Sequence, residues 1–258
     1  MTDVAGDLFG VERDVVTVVG VDARTYLHGQ LSQDVQSLGA GDSRWTLVLN
    51  PNGRVEVLAR VLCVADDHFE LDTEADFGEV LAARLNRFRI RVKADLEQST
   101  TTLFAPLGQF GERSVQESAL AAHQNGRIGW WGTGSWMDKL PSGTSSADTT
   151  IDDYERARVA AGWPAMGTEI VPGERIATEV AVVAVAVNFT KGCYPGQELV
   201  ERMDSRGSQA PRQLRILTLD EAASLGDVGE ITSVAGDKAL GYVRRGAAVG
   251  DVPGPASA

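Results

Sequence analysis

The sequence predicts an α+β fold, and three observations predict it. Between residues 15 and 105, β-type and helix-type patterns follow one another as strand, helix, strand, strand, helix, strand. A second group of β-type segments begins at Arg212 and runs to Arg244. Between the two groups, a helical pattern over residues 151–161 ends at Gly162 and Pro164. Strands and helices grouped in this way belong to an α+β architecture.

In chain order, residues 15–19 (VVTVV) have the β-branched, apolar composition of a buried strand that Gly20 ends. Asp22 can cap a helix reaching about Val35, with Tyr26, Leu27 and Leu31 on one face. Residues 44–49 form a second strand, Pro51-Asn52-Gly53 a tight hairpin turn, and residues 54–64 a third, alternating strand. Asp66-Asp67 turns the chain into residues 69–71. A helix is expected over about 75–88, with Phe77, Val80, Leu81 and Leu85 as its apolar stripe. Strands are then expected at 90–96 and 101–105. This order suggests a ferredoxin-like unit.

The middle of the chain is less regular. Residues 114–123 read as a short helix. Residues 126–132 and 135–140 read as a small hairpin holding Trp130, Trp131 and Trp136, three of the five tryptophans. Core packing is the favoured role for them, with a pocket wall as the alternative. The run 141–150 (PSGTSSADTT) is a linker. In the helix at 151–161, Asp152 and Glu155 near the start favour the dipole, and Gly162 and Pro164 stop it. Residues 230–234 and 238–244 pair about a Gly236-Asp237 turn. From Gly250 onward (GDVPGPASA) no burial pattern remains, so residues 250–258 are expected to be a disordered tail.

Composition narrows the function. A chain of 258 residues builds one large domain or two smaller ones, and 43% hydrophobic with 23% charged residues is a globular balance. Twenty-four basic against 36 acidic residues give a net charge of −12, which argues against broad nucleic-acid or anionic-membrane binding. MTDVAGDLFG has no charged start before an apolar core, so no signal peptide is expected. The longest apolar run, near Val180, is too short to span a bilayer. Cys63 and Cys193 lie far apart and His28, His68 and His123 are scattered, so neither a structural zinc nor a resident iron–sulfur cluster is expected. A reducing cytoplasm is the simplest setting for two free thiols.

One stretch concentrates chemistry: Lys191-Gly192-Cys193-Tyr194-Pro195-Gly196-Gln197-Glu198. It follows the apolar run 180–187 and precedes a charged segment, 201–206. Its glycines let the backbone take φ > 0 or approach a ligand. Lys191 stands two residues before Cys193, and a nearby ammonium favours thiolate over thiol. Gln197 and Glu198 offer a donor and an acceptor to a polar heteroaromatic ring. The bland alternative is a glycine turn between a buried strand and a surface helix, with Cys193 as a small core residue. Cys63, within RVLCVAD, reads as core.

The string KGCYPGQE, with Asn188-Phe189 before it and Arg202 after it, resembles the signature of the YgfZ-type folate-binding proteins, relatives of the glycine-cleavage T-protein (aminomethyltransferase). The segment from Arg158 to Pro164 (RVAAGWP) is also similar to that group. Residues 26–35 (YLHGQLSQDV) and 49–55 (LNPNGRV) resemble it more weakly, in apolar spacing and glycine placement. The resemblance implies a ferredoxin-like, T-protein-like folate-binding region over residues 1–207 and a small, shortened C-terminal β-barrel over 212–249. It implies tetrahydrofolate or a one-carbon derivative as bound ligand and iron–sulfur client or assembly proteins as partners. Nucleic acid and membrane are not expected as partners. Cys193 and Lys191 are then the chemical residues. Gly192, Tyr194, Gly196, Gln197, Glu198 and Arg202 are the ligand-binding ones, and Lys191, Arg202 or Arg206 would face an anionic tail.

Two departures matter. T-proteins place a pterin-holding glutamate two residues after the helix arginine, where this chain has Ala160. T-proteins also lack the cysteine. Both favour an accessory protein for iron–sulfur assembly or repair over a folate-dependent aminomethyl transferase, and a non-catalytic interaction module stays open. Glu56 falls roughly where T-proteins carry a catalytic aspartate, but a solvent-facing strand residue is the favoured reading.

Overall fold

The structure is a computed structural model and describes residues 8–107, 127–132, 135–139, 149–205 and 210–254. Its centre is a five-stranded sheet of β1 (Leu8–Val19), β2 (Ser43–Leu49), β3 (Val55–Ala65), β4 (His68–Glu74) and β5 (Asp95–Pro106). The strand order is β2-β3-β4-β1-β5, and every neighbouring pair is antiparallel. The α+β expectation therefore holds, with a correction to the ferredoxin-like unit. The segment after Asp66-Asp67 is a full strand, β4, inserted between β3 and β1.

The strands expected at 90–96 and 101–105 are one. β5 pairs with β1 from Leu8↔Pro106 to Val19↔Asp95, and Ile90 lies in the connection, 78% exposed. The exposed polar run from Gln98 to Thr100 sits on an edge strand, where no apolar alternation marks it.

Two helices cover one face of the sheet. In α1 (Ala23–Gln30), Tyr26 and Leu27 are buried as expected, but the helix stops short of Val35. Leu31 turns extended so that Ser32 can pair with β2: Ser32 N–H donates to Leu47 O, and Leu47 N–H to Ser32 Oγ. α2 (Gly78–Arg87) buries Leu81 and Leu85, and its first N–H donates to Asp14 Oδ2 at 2.8 Å.

Aromatic side chains fill the other face. Trp45, Trp130, Trp136 and Trp163 are each at most 2% exposed, and β6 (Arg127–Ile128) pairs with β7 (Ser135–Trp136). The core reading of the tryptophans stands. Beneath them, Asp72 accepts from Arg13, Arg60 and Arg127. Arg60 lies over the Trp45 and Trp136 rings.

Helix α3 (Ile151–Ala161) carries a capping box between Thr150 and Asp153 and ends at Gly162 with φ +69°. The apolar run at 180–187 contains a helical turn, α4 (Val183–Ala186), not a strand. Helix α5 (Gln197–Ser205) follows the motif.

C-terminally, β8 (Arg212–Thr218), α6 (Leu219–Ala223), β9 (Gly229–Ala235) and β10 (Lys238–Arg244) follow. The strands form an antiparallel sheet of order β8-β10-β9. Among the described residues this sheet is open, where a closed barrel was expected. Residues 250–254 are not the expected loose tail. Asp251 exchanges two 2.8 Å backbone hydrogen bonds with Ile216, and Pro253 is buried against Gly162. Backbone pairing of this kind leaves no apolar pattern in sequence. The helix expected at 114–123, most of the linker, Arg206 and residues 255–258 lie outside the described residues. No described helix is long and apolar enough to cross a membrane.

Candidate functional site

The motif forms a loop between α4 and α5 that is fastened at three points. At its start, Asn188 N–H donates to Ser32 O, and Asn188 Oδ1 accepts from the backbone of Thr190 and Lys191, each at 2.9 Å. This side-chain turn fixes the entry to the motif. Next, Lys191 Nζ donates to the carbonyls of His28 and Leu31, the latter at 2.6 Å. Those carbonyls belong to the C-terminal end of α1, where a cation satisfies orphan acceptors and the negative end of the helix dipole. Lys191 also stands 4.9 Å from the centre of the Tyr194 ring. Finally, Gly196 (φ +81°) lies against the β2–β3 turn. A Cβ there would sit 2.5 Å from Asn50 O and 2.9 Å from Gly53 Cα.

Cys193 is exposed and Cys63 is buried, and both are free thiols. Desolvation lowers the Lys191 ammonium to about 8, against the pull of Asp34 and Cys193, which raise it. His28 faces the same loop, its Nε2 3.8 Å from where a Cβ on Gly192 would lie. Its Nδ1 accepts from Val35 N–H and is 3.3 Å from Asp34 Oδ1. Desolvation and then Lys191 lower the imidazole, while Asp34 raises it.

The remaining motif residues separate. Gly192 is exposed. Tyr194 is 7% exposed and packs into the main core, and its hydroxyl has no hydrogen-bond partner among the described residues. Burial, with help from Glu201, pushes it up to about 12. Gln197 accepts from Tyr194 N–H and donates to Glu201. Glu198 pairs with Arg202 on the exposed face of α5. A cavity of about 430 Å³ there is lined by Phe189, Glu198, Glu201, Arg202, Asp204 and Ser205.

A second cavity, of about 520 Å³, lies between β3, α2 and the turn at Pro172-Gly173. Glu56 lines it, neither fully solvent-facing nor sealed, with Oε2 3.2 Å from Arg84 Nε. Arg84 is buried and donates to Leu49 O, yet its Nε makes no aligned hydrogen bond among the described residues. Arg87 stands at the same cavity. Ala160 is exposed on α3, and the neighbouring Arg158 is tied to Glu155, Glu169 and Trp163 O.

The motif reading missed His28, Ser32, Asn50 and Gly53 as partners of the loop. All four lie within the two weak patches, YLHGQLSQDV and LNPNGRV. The signal was present, in segments far apart in sequence that meet only in the fold.

No family model matches the chain. It is 28% identical over 252 residues to a protein of Cryptococcus neoformans named iron-sulfur cluster assembly factor IBA57 homolog, mitochondrial, covering 82% of this chain and 66% of that one. It is 26% identical over 212 residues to the tRNA-modifying protein YgfZ of Vibrio vulnificus, covering 75% of this chain and 64% of that one. The chain thus spans slightly less than two thirds of the length of these two relatives. Among solved structures, the glycine cleavage system aminomethyltransferase T of Bartonella henselae superposes with a TM-score of 0.68 at 17% identity, over 92% of this chain and 78% of that one. The chain has a YgfZ-type fold of the glycine-cleavage T-protein kind.

Proposed function

We propose that this chain is a folate-binding accessory protein that supports iron–sulfur cluster assembly or tRNA modification, with Cys193 as its working thiol. The observation that carries the reading is the contrast between the two cysteines. One is sealed in the sheet, and the other is held in the open on a loop fastened at three points. A structural cysteine has no need of that presentation. An exposed thiol beside an ammonium suits attack on an electrophilic carbon, or on a disulfide sulfur whose partner leaves as thiolate. The names of the similar proteins support the setting.

The two cavities differ in how they suit a folate. Three carboxylates face one guanidinium in the α5 cavity, and that guanidinium is already paired. An anionic glutamate tail is disfavoured there. The Glu56 cavity falls in the usual size range of ligand pockets; its three carboxylates, Glu56, Asp76 and Glu79, are met by two guanidiniums, Arg84 and Arg87, beside an apolar wall of Val80 and Ala83. A flat pterin with adjacent donors and acceptors can engage Glu56 and the unaligned Arg84 Nε–H, with Arg87 toward the tail. Bound there, tetrahydrofolate would supply a one-carbon carrier. The protein's own part is to hold the ring and present the thiol.

Calorimetric titration with tetrahydrofolate tests the reading. Saturable heat that weakens at least about tenfold in Glu56→Gln, the scale of one lost hydrogen bond to a charged group, is the expected result. Saturable heat unchanged by Glu56→Gln but lost in Glu198→Gln would move the ligand to α5. No heat and no shift in melting temperature would overturn folate binding.

A further inference from the structure

The Cys193 loop and the β2–β3 turn meet through two glycines. Gly53 has φ +76° and Gly196 φ +81°, a backbone region that side chains seldom adopt. A Cβ on Gly53 would lie 2.8 Å from Leu199 Cβ and 3.0 Å from its Cδ2, and 3.2 Å from Gly196 O. A Cβ on Gly196 would strike Asn50 O at 2.5 Å. Neither neighbour is a flexible tip that can swing aside. One is the first turn of α5, and the other is a main-chain carbonyl that already accepts Gly53 N–H at 2.9 Å. Asn50 Oδ1 also holds the backbone of Asn52 and Arg54, so the turn is rigid where the loop rests on it.

We infer that Gly53 is a positioning residue for Cys193, acting through its backbone contact with Gly196 and Leu199. The turn is the surface on which the exit of the motif loop is seated. Lys191 and Asn188 fasten the loop's entry to α1 and to Ser32. Cys193 lies between these anchors, so its place is set by both ends. The same turn opens β3, on which Glu56 lies three residues beyond Gly53, about 10 Å along the strand. A displacement at the turn is therefore transmitted to the thiol loop and to the Glu56 cavity together. The two glycines of KGCYPGQE differ in this respect: Gly196 is sterically required, whereas a Cβ on Gly192 meets nothing nearer than 3.8 Å.

The importance of this positioning rests on Cys193 being the working thiol, but the geometry can be tested without that assumption. Native iodoacetamide labelling reads Cys193 alone, because Cys63 is fully buried. Gly53→Asn keeps a residue that tolerates the left-handed backbone while adding the Cβ. Gly246→Asn is the control, since Gly246 has φ +88° with nothing within 4 Å of its Cβ position and lies outside both cavities. The expected result is a labelling rate changed at least about threefold in Gly53→Asn, as the loop that exposes the thiol is displaced, with Gly246→Asn at the wild-type rate. Should Gly53→Asn fail to fold, Leu199→Ala loosens the same contact from the half-buried helix side and must also shift the rate. Wild-type labelling in both Gly53→Asn and Leu199→Ala, or an equal change in Gly246→Asn, would overturn the inference. Tetrahydrofolate titration of the same variants separates the two claims: altered labelling with no folate binding in any protein sinks the folate reading and leaves the positioning role intact.

Discussion

Around Asp72, three guanidiniums converge on one carboxylate beneath a lid of tryptophans. Around Cys193, one ammonium rests on two main-chain carbonyls beside an exposed thiol. Both clusters mix cations with aromatic rings. Burial alone would raise the Asp72 carboxyl, but Arg60, Arg127 and Arg13 hold it well below the usual range. At the loop the cation is half-buried and held by two backbone carbonyls. Charge tied to opposing charge in a sealed site locks a fold. Charge tied to backbone beside an open thiol stays free to act on what arrives.

The largest expected effect breaks the first cluster. Asp72→Ala leaves buried guanidiniums without their shared carboxylate, and removing one partner of a buried ionic group costs about 3–5 kcal/mol. Denaturant unfolding measures it. A loss below about 1 kcal/mol would place Asp72 with weak surface pairs and dissolve the comparison.

A smaller effect sharpens the boundary of that buried region. Glu74 accepts Met166 N–H at 3.0 Å. Burial pushes its carboxyl up to about 7, Glu169 adds to the rise, and Arg13 and Arg158 oppose it. Between the ordinary value of 4.5 and about 7, the folded chain keeps a proton that the unfolded chain has lost. Stability from this group therefore falls as pH rises through that window, by about 1–3 kcal/mol. Glu74→Gln retains an acceptor for Met166 and should flatten the decline. An unchanged slope between the same pH limits would show that another group titrates.

The two clusters were unequally legible in the sequence. KGCYPGQE was visible because eight consecutive residues carry unlike chemistry, and local juxtaposition is what a sequence displays. The Asp72 cluster was invisible because Arg13, Arg60, Asp72 and Arg127 come from four strands, brought together by register alone: Val15↔Asp72 and Arg60↔Asp72 are cross-strand partners. The same reason hid the loop's partners His28 and Gly53. Helices and apolar strands were readable from their periods, as with α3, whose bounds match the expected 151–161. β5 reads in sequence as two strands because its edge residues are polar, and the pairing of Asp251 is carried by backbone, which has no sequence signature. The place of Tyr194 in the motif points it toward a ligand, yet its ring lies in the core, since proximity in sequence says nothing of which way a side chain turns.

The smallest expected effect on stability tests the open cluster most directly, through the two cysteines. Cys193 is exposed, and truncating a surface side chain changes stability by no more than about 0.5 kcal/mol. Cys63 is fully buried on β3, where its Sγ accepts from Arg24 and donates to Ala65 O. Truncating Cys63 removes packing and leaves a guanidinium hydrogen unmet, about 1–2 kcal/mol. Cys193→Ala should thus melt with the wild type while losing all native iodoacetamide labelling. Cys63→Ala should melt earlier and label as fast as the wild type. If Cys193→Ala were instead the more destabilised of the pair, the thiol would be part of the packing that holds the loop, and the distinction between a cluster that locks and a cluster that acts would fail at the residue on which it depends.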